Sequence, residues 1–136
     1  MEPSEIVNTM FQKDAFSQWL GVQIEGVSKG GCILKMTVTE DMLNGFGIAH
    51  GGITYSLADS ALAFASNSNG KHALSVETSI NHLQKVVAGD ILQATAKEQS
   101  ITRKLGIYQV EVNRGKELVA LFKGMVYRTE KDWNIE

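Results

Sequence analysis

The chain has 136 residues, 43% of them hydrophobic, enough for one domain (1–136) with a real core and too few for two ordinary ones. Its formal net charge of −2 argues against a general nucleic-acid or anionic-membrane binder. Cys32 is the one cysteine, which excludes an intrachain disulfide and any structural zinc site built on several cysteines.

From Ser4 to Trp19 the apolar residues Ile6, Val7, Met10, Phe11, Ala15, Phe16 and Trp19 recur at helical spacing, predicting one amphipathic helix capped by Ser4 and ended by Gly21. Val22 to Val27 reads as a short strand. Gly30-Gly31 then turns into a second strand, Cys32 to Thr39, with Cys32, Leu34, Met36 and Val38 on one face.

A long helix is predicted from about Gly51 to Ser68. Its apolar residues (Ile53, Tyr55, Leu57, Ala58, Ala61, Leu62, Ala63, Phe64) go most of the way round, as in a buried helix whose alanines admit close neighbours. Four strands follow, at about Ala73 to Val86, Ile91 to Ile101, Gly106 to Asn113 and Leu118 to Thr129. The links Ala88-Gly-Asp90, Arg103-Lys104-Leu105 and Arg114-Gly115-Lys116 are short, so successive strands are expected to be antiparallel neighbours.

This order predicts an α+β fold: a curved antiparallel sheet wrapped around a long central helix, with a short N-terminal helix. That is the hot-dog architecture. One sheet cannot enclose every side of such a helix, so its remaining apolar surface predicts pairing with a second copy. No apolar run approaches the ~20 residues of a membrane span, and the polar start broken by Pro3 does not resemble a secretory signal. A soluble cytoplasmic protein is the expectation.

The chemistry concentrates in Leu43 to Asp59, LNGFGIAHGGITYSLAD. No Ser, Thr, Asp or Asn immediately precedes Gly51, so the first N–H groups of the long helix lack an obvious side-chain cap. Free N–H groups at a positive helix end favour an anion, or a carbonyl oxygen gaining negative charge. Gly51-Gly52 equally serves as a tight turn into a packed helix. Asp59 is a carboxylate amid apolar side chains, costly unless it is paired, hydrogen-bonded or used. Burial raises such a group's pKa toward a proton acceptor's; neighbouring backbone or hydroxyl groups could instead satisfy it.

Gly51 and Asp59 are eight positions apart, about 12 Å along one helix, whereas attack on a carbonyl held at Gly51 needs a base within about 3–3.5 Å. If both serve one substrate, Asp59 comes from a second subunit and the site lies at a dimer interface. His50 is either a general acid or base or, in the favoured reading, a local hydrogen-bonding residue that fixes the loop. Asn44 opens an Asn-Gly turn, and could position His50 or donate to a carbonyl. His50, His72 and His82 provide no ligand pair at metal-binding spacing, so no metal is expected.

Asn44-Gly-Phe-Gly-Ile-Ala-His50-Gly51-Gly52 followed by Ser56-Leu-Ala-Asp59 resembles the signature of the PaaI-type hot-dog acyl-CoA thioesterases. Met36-Thr-Val-Thr39, Ala88-Gly-Asp90, Gly106 to Glu111 and Val119 to Gly124 extend the likeness over most of the chain. The resemblance implies hydrolysis of a coenzyme A thioester, phenylacetyl or ring-hydroxylated phenylacetyl, with no cofactor beyond the coenzyme A of the substrate. It implies that the Gly51 amide polarises the carbonyl and that Asn44 and His50 shape the site. Asp59 from across a homodimer acts as general base or nucleophile, and Ser75 helps hold the attacking water. Pairing of dimers into a homotetramer is implied by the family alone.

The family often carries an aromatic residue, Leu, Arg and Pro where this chain has His82-Leu83-Gln84-Lys85. Without that Arg, Lys85, Arg103 and Lys104 are the candidates for the nucleotide phosphates. Phe46, Ile48 and Tyr55 are candidates for the acyl pocket, while Phe64 is better explained as core. A non-catalytic acyl-CoA binding or sensing module is the main alternative, and a hot-dog hydratase or dehydratase ranks lower.

Overall fold

The computed structural model describes residues 1–134. Its N-terminal region holds two helices where periodicity predicted one: α1 (Pro3–Gln12) and α2 (Ala15–Leu20). Glu2, not Ser4, caps α1: the Glu2 N–H donates to the Glu5 carboxylate at 2.8 Å, and Pro3 takes the first helical position, where a missing N–H costs nothing. The helix breaks because Asp14 starts a new one, accepting the Ser17 N–H at 2.9 Å. Phe16 and Trp19, which carried the periodicity onward, are exposed; α2 instead buries Ser17 and Leu20. Gly21, at φ +79°, closes it in the left-handed conformation that glycine adopts without strain.

Strands β1 (Gln23–Ser28) and β2 (Gly31–Thr37) follow, then a 3₁₀ turn at Glu40–Met42 that the sequence pattern did not reveal. The expected inward face of β2 is present: Cys32, Leu34 and Met36 are buried, and Val38 just beyond it. The central helix α3 spans Gly51–Asn67. After it come β3 (Lys71–His82), β4 (Ile91–Ile101), β5 (Leu105–Arg114) and β6 (Glu117–Asp132).

The six strands form one antiparallel sheet in the order β1-β2-β4-β5-β6-β3. This corrects one expectation. β3 and β4 are not neighbours: β3 pairs with β6, and β4 is inserted between β2 and β5. The link between β3 and β4 is the whole of Leu83 to Asp90, and Ala88-Gly-Asp90 is only its last turn. Register shifts within strands, from Ser75 to Glu77 in β3 and from Glu98 to Ser100 in β4, bend them and help the sheet curl around α3.

α3 lies against β2, β4, β5, β3 and β6, burying Leu57, Ala58, Ala61, Leu62, Phe64 and Ala65. Its other side is partly covered by the N-terminal helices. Phe11 meets Phe64 edge-on with ring centroids 6.2 Å apart, and the Ser17 and Ser60 hydroxyls pair at 2.8 Å. Much of the helix surface expected to need a second copy is thus covered within the chain. What stays partly open is a stripe of small and polar residues at helical spacing, Gly52, Ser56, Asp59 and Ala63. Beside it, the edge strand β3 exposes Leu74 (68%) and Val76 (59%), unusual for apolar side chains in a strand centre.

Candidate active site

The loop before α3 is held from several directions. Asn44 Oδ1 accepts the N–H groups of Phe46 at 2.9 Å and Ile48 at 3.4 Å, and the Asn44 N–H donates to the Ile48 carbonyl at 2.8 Å. This closes a tight loop in which Gly47 takes a φ of +76°. The Ala49 N–H reaches the Val86 carbonyl at 2.7 Å and that of His50 reaches Met42 at 2.9 Å, so the start of α3 is tied to its surroundings.

His50 is the N-cap residue. Its Nδ1 accepts the Gly52 N–H at 2.9 Å, and its carbonyl accepts the Ile53 N–H at 2.9 Å. The helix is therefore capped, by a histidine rather than by the usual hydroxyl or carboxylate, contrary to the sequence expectation. The cap leaves one donor over. Among the described residues the Gly51 N–H has no acceptor, and it stands at the positive end of a 17-residue helix.

Gly51 borders an open cavity of about 660 Å³ together with Asn44, Ile48, Thr54, His82 and Lys85. A Cβ at Gly51 would lie 3.1 Å from His82 Nε2, a tight contact that the exposed imidazole would have to shift to relieve. Arg114 also borders the cavity, but it pairs with Asp90 at 2.7 Å and with Glu117, and donates to the Lys85 carbonyl at 2.8 Å. The Val87 N–H, then Arg114, hold the Asp90 carboxyl below its ordinary pKa, as a structural ion pair requires. Lys85 forms no ion pair among the described residues and is the cavity's uncommitted cation.

Asp59 opens onto a different cavity, of about 280 Å³, which it shares with Ser75. The remaining lining includes Leu62, Ala63, Ala73, Leu74 and Val126. Asp59 is half-buried, and among the described residues its carboxylate has neither a hydrogen-bond donor nor a cation partner. Burial pushes its pKa up from the ordinary carboxylate value. Of the two readings left by the sequence, a carboxylate satisfied by its neighbours is not what the geometry contains.

The other sequence candidates divide. Asn44, Ile48 and Lys85 join Gly51, and Ser75 joins Asp59. Phe46 does not line the Gly51 cavity: it is 90% exposed at the loop tip, because the Asn44 turn points the chain outward there. Tyr55 does not line it either; its ring packs edge-on against Phe122 at 5.5 Å and its hydroxyl pairs with that of Thr78. Arg103 and Lys104 sit in the β4–β5 turn, beside a separate cavity with Lys71, Tyr127 and Arg128. β5 runs from that turn to Arg114, so within one protomer they lie at the end of the sheet away from Gly51. Sequence reasoning missed His82 as a neighbour of Gly51. It considered that histidine as a metal ligand and as a departure from the family pattern, and no local pattern links positions 31 residues apart.

Residues 46–121 match the family model described as the thioesterase superfamily. The acyl-coenzyme A thioesterase PaaI of Escherichia coli strain K12 is 40% identical over 122 residues, which cover 89% of this chain and 87% of that protein. The solved structure of E. coli PaaI, from the phenylacetic acid degradation operon, matches with a TM-score of 0.93 and 37% identity, covering 96% of this chain and 95% of that one. A point variant of the phenylacetic acid degradation protein PaaI from Thermus thermophilus gives a TM-score of 0.83 at 37% identity, over 85% and 100% of the two chains. A Streptococcus mutans UA159 protein, solved bound to acetyl CoA, gives 0.79 at 29% identity, over 82% and 91%. Likeness of this extent, in sequence and in fold, means that the chain belongs to the thioesterase superfamily, as a hot-dog thioesterase of the PaaI type.

Proposed function

We propose that this protein hydrolyses acyl-CoA thioesters, with phenylacetyl-CoA or a ring-hydroxylated phenylacetyl-CoA as substrate, at a site that two copies of the chain build together. The observation that carries this reading is the separation of two unpaired groups. The Gly51 N–H and the Asp59 carboxylate border different cavities of one protomer. They lie about 12 Å apart along the helix, too far to act on one carbonyl. A second copy docked on the open stripe of α3 and the exposed edge of β3 would bring one protomer's Gly51 to its partner's Asp59. The exposed Leu74 and Val76, on either side of Ser75, give that contact apolar area.

In this site the Gly51 N–H receives the thioester oxygen and stabilises the negative charge that grows on it as the carbonyl is attacked. Asn44 and His50 keep the helix start in shape, and Lys85 takes a phosphate of the coenzyme A moiety. Asp59 accepts a proton from water held near Ser75 while the water oxygen bonds to the carbonyl carbon. The C–S bond then breaks, and the proton passes to the departing thiolate, leaving a free acid and coenzyme A. Direct attack by the Asp59 carboxylate, through an anhydride that water then opens, has the same balance. The reaction needs no metal or redox cofactor. The relationship to PaaI supports the aryl-acetyl substrate, and the acetyl CoA bound to the S. mutans relative supports the coenzyme A portion.

Thiol release from a panel of acyl-CoAs by the wild type and Asp59→Asn tests the reading. The expected result is turnover of phenylacetyl-CoA with kcat at least ~100-fold lower in the variant. Equal rates in the two proteins would remove Asp59 from the mechanism. No release from any acyl-CoA would leave a binding module.

A further inference from the structure

Among the side chains that line the Asp59 cavity are two aromatic rings in contact. His72 and Trp133 stack with ring centroids 4.0 Å apart and planes 14° from parallel. They border both the Asp59 cavity and a second cavity of about 400 Å³, whose lining includes Thr9, Lys13 and Lys131. Among the described residues, no other side chain is common to the two. The stack is a partition between an apolar chamber and a polar one.

Trp133 is fixed in that position from three sides. Its backbone N–H donates to the Gly70 carbonyl at 2.9 Å, its indole Nε1–H donates to Asn67 Oδ1 at 2.9 Å, and its ring lies on His72. Asn67 is itself held, being buried in the last turn of α3, where its amide donates to the Ala63 and Ala73 carbonyls at 2.8 and 3.1 Å. A tryptophan beyond the last strand would not be fastened this way by packing alone. The indole N–H is partly withdrawn from solvent, and its partner is supplied by the helix that carries Asp59.

We propose that Trp133 is the specificity-determining residue for the acyl group: it ends the Asp59 chamber and sets how long a chain can enter past the carboxylate. The inference rests on the thioesterase reading above and deepens it. An acyl group whose carbonyl is attacked beside Asp59 and Ser75 extends along Leu62, Ala63, Leu74 and Val126 and meets the indole. In the single protomer the chamber measures about 280 Å³, just below the ~300–1,000 Å³ of small-molecule sites, which suits one ring or a short chain better than a long one. Without the indole the chamber joins the cavity behind it, and longer chains fit.

The test measures kcat and KM on straight-chain CoA thioesters from acetyl to dodecanoyl, and on phenylacetyl-CoA, for the wild type, Trp133→Ala and Trp133→Phe. The readout is the ratio of kcat/KM for decanoyl to that for phenylacetyl within each protein, which does not depend on the fraction folded. The expected result is a rise of about tenfold or more in Trp133→Ala, the scale on which an apolar pocket discriminates by size, with little change in Trp133→Phe. A wild type active on CoA thioesters, with an unmoved ratio in Trp133→Ala, overturns this inference alone. A wild type inactive on every thioester overturns the parent reading and this one with it.

Discussion

His82 Nε2 lies 3.1 Å from the point where a Cβ on Gly51 would stand, so the imidazole at the end of β3 occupies the space that glycine leaves at the start of α3. This separates two reasons for a glycine at position 51. Gly51→Ala keeps the backbone N–H and adds only the collision, so kcat should fall and be partly restored in Gly51→Ala/His82→Ala. Gly51→Pro removes the N–H at a helix position that tolerates proline, and should lose about 10²–10³ in kcat, with no recovery in the His82→Ala background. Steady-state kinetics of the four proteins on one thioester decide it. Recovery of Gly51→Pro by His82→Ala would mean that the N–H was not the working group.

Asp59 gives a prediction on both activity and stability. Its carboxyl pKa is raised by burial, and only the ionised form accepts a proton. kcat/KM should therefore rise with pH along a limb centred above the ordinary ~3.9 of an aspartate. A raised native pKa also means that ionisation opposes folding. The cost is absent below the unfolded value and grows as pH rises through the native one. Asp59→Asn should melt above the wild type at pH 7, and the two melting curves should converge below about pH 4. A variant less stable at pH 7 would show that the carboxylate has partners after all.

The depth to which the fold can be read from the sequence follows the range of the interactions involved. α3 was legible because its apolar residues lie on most sides, and β4 because Ile91–Ile101 is bounded by turn residues. The split between α1 and α2 was not, since helical spacing continues across it while the local Asp14 cap decides the break. The pairing of β3 with β6 was hidden for the opposite reason. The short Ala88-Gly-Asp90 turn suggested a neighbour, but sheet order is set by which strands bury which faces on α3. The site divides the same way. Gly51 and Asp59 announce themselves by chemistry, whereas His82 beside Gly51, and Trp133 beyond Asp59, are brought there only when the sheet wraps the helix.

That wrapping is close at Gly124 of β6. An added Cβ would stand 2.5 Å from Leu62 Cδ2 and 3.3 Å from Phe122 Cε1, with both of those side chains fully buried. Gly124→Ala should cost about 1–3 kcal/mol by overpacking. In urea melts the midpoint should fall with the slope unchanged. Leu62→Ala in the same chain should offset part of the loss, giving a non-additive cycle. Additive effects would place the strain elsewhere.

The proposal that each site draws on two chains can be tested by mixing two inactive variants. In a heterodimer of Asp59→Asn with Gly51→Pro, one site combines the intact Gly51 of the first chain with the intact Asp59 of the second. The other site carries both lesions. Differently tagged chains, co-expressed and purified through both tags, should show about half the wild-type rate per dimer, against losses of roughly 10²-fold or more in each homodimer. Such recovery has no explanation in a site confined to one protomer, where every heterodimer site would carry one of the lesions. A heterodimer as inactive as its parents would return Asp59 and Gly51 to the same chain, and the ~12 Å between them would then rule out action on one carbonyl.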